Sequence, residues 1–135
     1  MLLETKLACQ AAAKALQPAL DAANAACGAF TPGDASDEAL AAFCAAVNAM
    51  REQYYAANGY TRQFREPVGF TKGKKNARIT EYNENGEPRS VYCFVDLATG
   101  NILKSAGWSA PAKGARGNII NGAAQVGPHG AAYLR

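Results

Sequence analysis

The 135-residue sequence has little of what most enzymes, secreted domains and membrane proteins depend on. It contains one histidine and one tryptophan, and its four cysteines lack the C-x-x-C spacing of a zinc or dithiol site. No apolar run reaches the roughly 18 residues that span a bilayer, and charged residues interrupt any signal-peptide core. These absences argue against a metal centre, a disulfide framework and a membrane protein, and they predict a protein of the reducing cytoplasm.

The sequence also lacks the common catalytic and phosphate-loop motifs. No Walker loop and no G-x-G-x-x-G run is present, although Gly73-Lys74 superficially resembles the end of a phosphate loop. His129 lies between Pro128 and Gly130, and no Ser or Cys occupies a nucleophile elbow. The sequence therefore predicts a protein that is not an enzyme and that needs no cofactor.

The charge that is present divides unevenly along the chain. Residues 1–58 carry a net charge of −3 and residues 59–135 carry +6, which together give the overall +3. A basic second half favours an anionic partner for that half. A pI near 8.7 is too modest to indicate nonspecific binding to duplex DNA.

The amino-terminal half is predicted to be helical. Residues 2–29 are rich in strong helix formers, although Pro18 should kink or split that helix. Asp34 or Ser36 caps a second helix, which runs to about Ala57 and ends at Asn58-Gly59. Apolar residues on the second helix repeat at alternating three- and four-residue spacing, which indicates a core face or a dimer seam. They are Leu40, Phe43, Val47, Met50 and Tyr54.

The second half is predicted to form a small antiparallel sheet. Strands are expected at Val68–Thr71 and Ala77–Tyr82, and the turn between them carries three lysines. Alternation from Val91 to Asp96 predicts a half-buried strand, which the turn to Gly100 joins to a return strand. With a length that fits one domain, the fold class is α+β: an antiparallel pair of long helices packed beside a small antiparallel sheet.

A small basic loop is predicted after this hairpin, from Ser109 to Asn118. Its Gly and Ala residues expose backbone N–H groups, and nearby cations and a tryptophan complete the ingredients of a phosphate-and-base site. The same composition is equally consistent with a solvated surface loop.

Ten residues in and around this stretch are candidates for ligand binding. Arg116 is the first, because its guanidinium fork can hold a phosphate bidentately, with help from the amides of Gly117 and Asn118. Trp108 could stack on a base, a contact that contributes about 1–3 kcal/mol. Lys113 and Lys104 are candidate phosphate partners. Phe94 is an aromatic candidate, for which core packing is the competing interpretation. Three further cations could complete a pocket across a subunit boundary: Arg65, Lys72 and Arg78.

The motif around these residues resembles a family of small phage-encoded proteins. The shared pattern, F-V-D-x-x-T-G-(D/N)-x-x-K-x-A-x-W-x-x-P-A-K-x-x-R-G-N, runs from Phe94 to Asn118, with Asn101 where Asp is more frequent. The likeness extends upstream to Thr71 and downstream to the Gly-Pro-His-Gly-x-x-Tyr-Leu ending, so it covers about the second half of the chain. Among characterised proteins, the pattern and the layout resemble the Thoeris anti-defence protein 1 family.

That resemblance implies a sponge, a protein that binds a signal molecule and holds it without cleaving it. Members of the family bind cyclic ADP-ribose signals made by bacterial immune TIR enzymes and hold them without cleavage, and some hexameric members also bind cyclic trinucleotides. For this chain it implies a homo-oligomer, a dimer or a hexamer, that sequesters a cyclic nucleotide in the cytoplasm of an infected bacterium. Two other classes stay open: a small phage nucleic-acid-binding protein, and a phage regulator that binds a host protein through the helical half.

Overall fold

Two helices precede a five-stranded antiparallel sheet in the structure, a computed structural model that describes residues 3–59 and 67–131. The architecture is α+β, as the sequence predicts. The elements are α1 Leu3–Gly28, α2 Asp37–Ala57, β1 Val68–Lys72, β2 Asn76–Tyr82, β3 Pro88–Asp96, β4 Asn101–Ser105, β5 Pro111–Asn118, a 3-10 turn Ile119–Asn121, β6 Val126–Gly127 and β7 Gly130–Ala131. Within the described ranges, neither helix combines the length and the apolarity that a bilayer crossing requires.

The two helices lie antiparallel and contact each other along their length. The Gln53 amide of α2 donates to the Ala13 carbonyl of α1 at 3.0 Å and to the Gln17 side chain at 2.6 Å. α1 continues through Pro18 without interruption, so the predicted split of this helix is wrong. Helix formers on both sides of Pro18 and packing on α2 offset the hydrogen bond that proline removes.

Both ends of α2 are built as the sequence predicts. Ser36 is the N-cap, and its hydroxyl accepts the Ala39 N–H at 3.3 Å. The Asp34 carboxylate accepts the Ser36 N–H at 2.8 Å, and this bond holds the Asp34 pKa below its usual value. At the other end the Asn58 amide donates to the Tyr54 carbonyl at 2.8 Å. Local hydrogen bonds therefore fix both boundaries of α2.

The apolar face of α2 forms the core of this chain. Leu40, Phe43 and Val47 are completely buried and pack with residues of β1, β2, β3 and β4. Met50 is half-buried and packs against the same cluster. Each fully buried side chain of this size contributes about 1.5–3 kcal/mol. The core interpretation is confirmed for Leu40, Phe43 and Val47, whose complete burial within one chain leaves none of their surface for a dimer seam.

The sheet is a meander in which each strand pairs with the next one along the chain. Its order is β1-β2-β3-β4-β5, and every pair is antiparallel. The β3–β4 turn is built as predicted: the Gly100 N–H donates to the Asp96 carbonyl at 2.8 Å, and Gly100 takes a φ of 74°. The meander brings residues that are distant in sequence side by side across five strands.

β3 is buried on both faces, whereas its alternating sequence predicts a half-buried strand. Residues 92–95 are each 3% exposed or less. Part of the reason is a β-bulge, because the register shifts between Ile79 and Thr80 and leaves Tyr92 without a partner on β2. The Tyr92 hydroxyl donates to the Gly127 carbonyl, so the small β6–β7 sheet covers this end of β3. The predicted position of the strand is confirmed, and its predicted burial is wrong.

The stretch predicted as a loop contains the fifth strand. Pro111–Asn118 pairs with β4, with register shifts that leave the residues around Lys113 outside the ladder. Gly, Pro and Lys disfavour strands, but the edge of β4 offers backbone partners whatever the side chains are. The loop prediction is therefore wrong for most of this stretch, and part of the backbone expected to be exposed is hydrogen-bonded.

The segment after β5 joins α1 to the sheet. The Asn118 side chain caps the 3-10 turn by accepting the Ile120 N–H at 3.1 Å. The Asn24 side chain of α1 accepts the Ala123 N–H at 2.9 Å. α1 is thus attached to α2 on one side and to the end of the sheet on the other.

Candidate functional site

One face of the sheet lies away from the core and carries a row that includes Arg78. Arg78 pairs with Thr71 of β1 and with Phe94 of β3, and Phe94 pairs with Leu103 of β4. Successive side chains on a strand point to opposite faces. The neighbouring row is completely buried in the core with α2: Ala77, Val95 and Ile102. The Arg78 row therefore lies on the opposite face.

The β1–β2 turn places two lysines at the end of that face. The Gly73 N–H donates to the Asn76 carbonyl at 2.8 Å and closes the turn around Lys74 and Lys75. The Lys75 carbonyl accepts the Leu97 N–H at 2.9 Å, which ties this turn to the β3–β4 turn. Both lysine side chains are exposed. The turn thus presents two ammonium groups from a backbone that is held on both sides.

Two adjoining depressions open to solvent on this face, with volumes of about 220 Å³ and about 310 Å³. They share Lys75 and Asn76, and the irregular part of β5 brings Lys113 to the second. The first is lined by Thr71, Lys72, Gly73, Lys74, Lys75, Asn76, Arg78, Phe94 and Ser109. The second is lined by Lys75, Asn76, Asp96, Leu103, Pro111, Ala112, Lys113 and Gly114. We call the two depressions and these lining residues the basic face.

Trp108 packs on Arg78, although 30 residues separate them in the sequence. The guanidinium carbon lies 4.7 Å from the centroid of the indole ring, and Arg78 Nε donates to the Trp108 carbonyl at 2.9 Å. Trp108 remains 45% exposed and lines neither depression. The tryptophan therefore reaches the basic face through Arg78.

Lys72 is shared between the basic face and α2. Its Nζ lies 2.8 Å from a carboxylate oxygen of Asp37, and both side chains are exposed. Exposed ion pairs contribute about 0–1 kcal/mol, so an anion in the first depression can compete for this lysine.

Asn76 lines both depressions, and its side-chain oxygen Oδ1 is buried. No group in the described part of the chain donates a hydrogen bond to Asn76 Oδ1. Leaving a buried acceptor unsatisfied costs about 1–3 kcal/mol. The unpaired oxygen therefore lowers the stability of the folded protein.

Arg116, the first candidate from the sequence, folds back on its own strand. Its Nε donates to the Gly114 carbonyl at 3.1 Å and its Nη2 to the Lys113 carbonyl at 3.2 Å, and it lines neither depression. Lys104 is half-buried on β4 and also lines neither depression. Arg65 lies outside the described residues.

Asn118 and Gly117 have structural roles at the end of β5. The Asn118 amide donates to the Thr99 carbonyl at 2.9 Å and to Asn101 Oδ1 at 3.0 Å. An Asp in place of Asn101 would accept the same bond. A side chain at Gly117 would come within 2.8 Å of Gln125. These contacts account for both residues without a ligand.

The structure brings together part of the predicted set and adds neighbours that the sequence does not single out. The predicted residues on the basic face are Lys72, Arg78, Phe94 and Lys113, with Trp108 behind Arg78. The residues missed include Lys74, Lys75, Asn76 and Ser109. A Lys-Gly-Lys-Lys run inside a predicted turn was the available signal, since such a turn exposes its cations. Phe94, at 3% exposure, is a floor residue rather than a stacking surface.

The cysteines are buried away from the basic face. Burial raises the pKa of Cys44 to about 12, and it raises the pKa of Cys27 and Cys93 above the ordinary thiol value. These groups therefore stay protonated and unreactive at neutral pH. Within residues 3–59 and 67–131, no group of three or more His, Cys, Asp or Glu side chains could hold a metal ion.

Comparison with known proteins places the chain in one family. The family DUF7717, described as a family of unknown function, matches residues 35–126. The match spans α2, all five strands of the main sheet and the 3-10 turn, so it includes the entire basic face. No curated protein and no solved structure matches the chain. Because the matched residues make up more than half of its length, the chain belongs to DUF7717, a family of unknown function.

Proposed function

We propose that this protein binds a cyclic nucleotide on the basic face and sequesters it without cleavage, as a sponge in the cytoplasm of an infected bacterium. The observation that carries the proposal is the convergence of four cations on two adjoining depressions: Lys74, Lys75, Arg78 and Lys113. The resemblance of Phe94–Asn118 to the Thoeris anti-defence protein 1 family supplies the ligand class, cyclic ADP-ribose isomers or cyclic di- and trinucleotides.

The charge balance of the basic face suits a ligand with two or three phosphates. Asp96 is the one carboxylate among the residues that line the two depressions, and its Oδ1 already accepts the Ala98 N–H at 2.8 Å. Lys72 adds a further cation where a phosphate competes with Asp37. Hydrogen bonds from charged donors are roughly twice as strong as neutral ones. An anionic ligand therefore meets a clear excess of positive charge.

The size of the depressions favours an assembly of several chains. Small-molecule sites commonly measure about 300–1,000 Å³; one depression, at about 220 Å³, is below this range, and the other, at about 310 Å³, is at its lower end. A second subunit over the open side would add wall and further cations, so we propose a homo-oligomer, a dimer or a hexamer, with the ligand near the subunit boundary. That boundary does not use Leu40, Phe43 and Val47, because the sheet already buries them.

Reversible sequestration fits the chemistry of the lining residues better than turnover does. Among the described residues that line the two depressions there is no histidine and no cysteine, and Asp96 is the single carboxylate. General acid–base catalysis requires groups that can give and take a proton at the reacting atoms. Lysines and one arginine instead supply fixed positive charge.

Calorimetry with cyclic ADP-ribose isomers and cyclic di- and trinucleotides tests the proposal. We expect tight binding, and recovery of unaltered ligand by mass spectrometry after the protein is heat-denatured. The double variant Lys74→Gln/Lys75→Gln should bind at least about tenfold more weakly, because hydrogen bonds to charged groups contribute about 1.5–3 kcal/mol each.

The matched control removes the same charge elsewhere. Lys6 and Lys14 are exposed on α1, so Lys6→Gln/Lys14→Gln should leave the affinity unchanged. Equal losses of affinity in the two double variants would show that binding depends on net charge rather than on these two lysines, and they would refute the site. Chemically altered ligand would show that the protein is an enzyme.

The openness of the basic face also favours a second candidate, a single-stranded nucleic acid bound along it. Such binding weakens steeply with salt, with a slope of about −0.7 per phosphate contacted in a plot of log K against log salt. A ligand with two or three phosphates should lose much less affinity. Gel shifts and calorimetry over one salt series separate the two functions.

A further inference from the structure

Arg78 is held at two points by a single neighbouring residue. Its guanidinium carbon lies 4.7 Å from the centroid of the Trp108 ring, and its Nε donates to the Trp108 carbonyl at 2.9 Å. The stacking contact restrains the plane of the guanidinium, and the hydrogen bond restrains its rotation in that plane. A side chain restrained in this way loses little further conformational entropy when it binds a ligand.

The terminal nitrogens of Arg78 remain for other partners. Nε is committed to Trp108, and within the described ranges no acceptor is bonded to Nη1 or Nη2. The two Nη groups form a planar fork that matches two oxygens of a phosphate. Arg78 lines the first depression together with Lys74, Lys75 and Ser109. An oxyanion there would meet a fork, two ammonium groups and a hydroxyl.

Arg116 has the opposite arrangement. Its Nε and Nη2 donate to the carbonyls of Gly114 and Lys113 on its own strand. An oxyanion would have to displace these hydrogen bonds, so it would gain less binding free energy from Arg116. The two arginines therefore differ in how much of the fork the protein itself occupies.

We propose that Arg78 binds a phosphoryl oxyanion of the ligand in the first depression, and that Trp108 is the positioning residue that holds Arg78 for this contact. The proposal deepens the sponge function and rests on it only for the identity of the whole ligand. A depression of about 220 Å³ accommodates a phosphate or pyrophosphate group but not a complete cyclic dinucleotide. The ligand class is a phosphate ester or anhydride, and Trp108 acts through Arg78 rather than on a base.

The single tryptophan of the chain reports on this contact. Titration of the full chain with inorganic pyrophosphate should give a saturable change in Trp108 emission as the stacked guanidinium takes up the anion. Arg78→Lys keeps the charge and loses the fork, so pyrophosphate should bind it about tenfold more weakly or worse. Arg116→Lys makes the same chemical change outside the depressions and should bind like the wild type. A wild type without saturable binding, or a loss in Arg116→Lys as large as in Arg78→Lys, overturns the assignment.

The role of Trp108 is tested by calorimetry with the same anion, because pyrophosphate has no base to stack. Trp108→Ala removes no charge, yet it should weaken pyrophosphate binding by about three- to tenfold, and adding it to Arg78→Lys should bring no further loss. This non-additivity follows if Trp108 acts through Arg78. Additive losses, or an unchanged pyrophosphate affinity in Trp108→Ala, overturn the positioning role.

Failure of this inference is distinguishable from failure of the sponge function. If cyclic nucleotides bind the wild type and Arg78→Lys equally tightly, the sponge function stands and the assignment of Arg78 fails. If pyrophosphate binds through Arg78 while no cyclic nucleotide binds, the assignment stands and the sponge function fails.

Discussion

Arg51 of α2 reaches Glu81 of β2 inside the protein, with 3.6 Å between its Nη2 and the carboxylate oxygen. The two side chains are 5% and 16% exposed. Arg51 also donates to the Tyr55 hydroxyl at 3.0 Å and lies 5.9 Å from the centroid of the Tyr92 ring. Such partners are needed because removing a cation from water is costly. The pair therefore joins the helical layer to the sheet by charge as well as by apolar packing.

Glu81→Gln should lower the free energy of unfolding by about 2–4 kcal/mol, because the buried Arg51 loses its charge attraction to Glu81. The exposed pair between Lys72 and Asp37 is the control, and Asp37→Asn should cost at most about 1 kcal/mol. Urea unfolding followed by circular dichroism measures both values. Similar costs for the two variants would contradict the importance of burial for the Arg51–Glu81 pair.

Buried thiols and a buried phenol should make the fold sensitive to high pH. Burial raises the pKa of Cys44 to about 12, and it raises the pKa of Cys93 and Tyr92 as well. A raised pKa means that the folded protein holds the proton more tightly than the unfolded chain does. The stability that these groups contribute is therefore complete below the ordinary thiol pKa of 9.0, and it is lost as the pH rises towards about 12.

The free energy of unfolding should be constant around neutral pH and should then fall by up to about 1.4 kcal/mol per pH unit for each such group. Cys44→Ala should cost a small, pH-independent amount for the cavity it leaves, while it flattens the alkaline slope. Denaturant unfolding at stepped pH values measures both effects. Cys9→Ala on α1 controls for loss of a thiol outside the main core cluster. An alkaline slope that Cys44→Ala does not change would count against this account.

Asn48→Ala should lower the free energy of unfolding, whereas Asn76→Ala should not. Asn48 Oδ1 accepts the Val68 N–H at 2.8 Å and its Nδ2 donates to the Val68 carbonyl at 3.2 Å, so Asn48→Ala should cost about 1–3 kcal/mol. Asn76→Ala removes a buried oxygen that receives no donor in the described part of the chain, so the free energy of unfolding should stay constant or rise by about 1 kcal/mol. Thermal unfolding of both variants makes the comparison, and a comparable loss in Asn76→Ala would contradict it.

Gly122 determines how closely α1 approaches the end of the sheet. Its φ is 60°, and a Cβ at this position would lie 2.9 Å from the Asn24 Cα. Gly122→Ala should therefore cost about 2–4 kcal/mol, because left-handed strain is added to displacement of α1. Gly86 has a φ of 78° but open space around it, so Gly86→Ala should cost about 1–2 kcal/mol from strain alone. Equal losses in urea unfolding would show that the contact with α1 contributes nothing.

Elements with a local chemical signal were predictable from the sequence. Ser36 before an apolar helix face, Asn58-Gly59 after it, and the turn from Asp96 to Gly100 each favour one backbone conformation through their own side chains. The core face of α2 was predictable for a similar reason, because its spacing matches the helical repeat.

Features that depend on a distant partner were not predictable from the sequence. β5 is a strand because the edge of β4 offers hydrogen bonds, although its own composition favours a loop. Residues 92–95 are buried on both faces because of a bulge and because the β6–β7 sheet covers one end of β3. Local propensity carries no information about either contact.

The candidate site was likewise predictable in its local features and not in its contacts between distant residues. The sequence identified a basic, aromatic second half, but it ranked Arg116 above Arg78. The difference between them lies in their partners, since Arg116 donates to carbonyls of its own strand while Arg78 stacks on a residue 30 positions away. Only the register of the sheet shows which arginine faces the lysines of the β1–β2 turn.

The sparse packing of α1 has a consequence for how this protein can change over evolutionary time. Three of its 26 residues are buried, Cys9, Leu20 and Cys27, and the DUF7717 match begins beyond it at residue 35. Many of its exposed positions are alanines, which other helix formers can replace without touching the core or the basic face. α1 therefore has room for changes of surface chemistry that leave α2, the sheet and the basic face as they are.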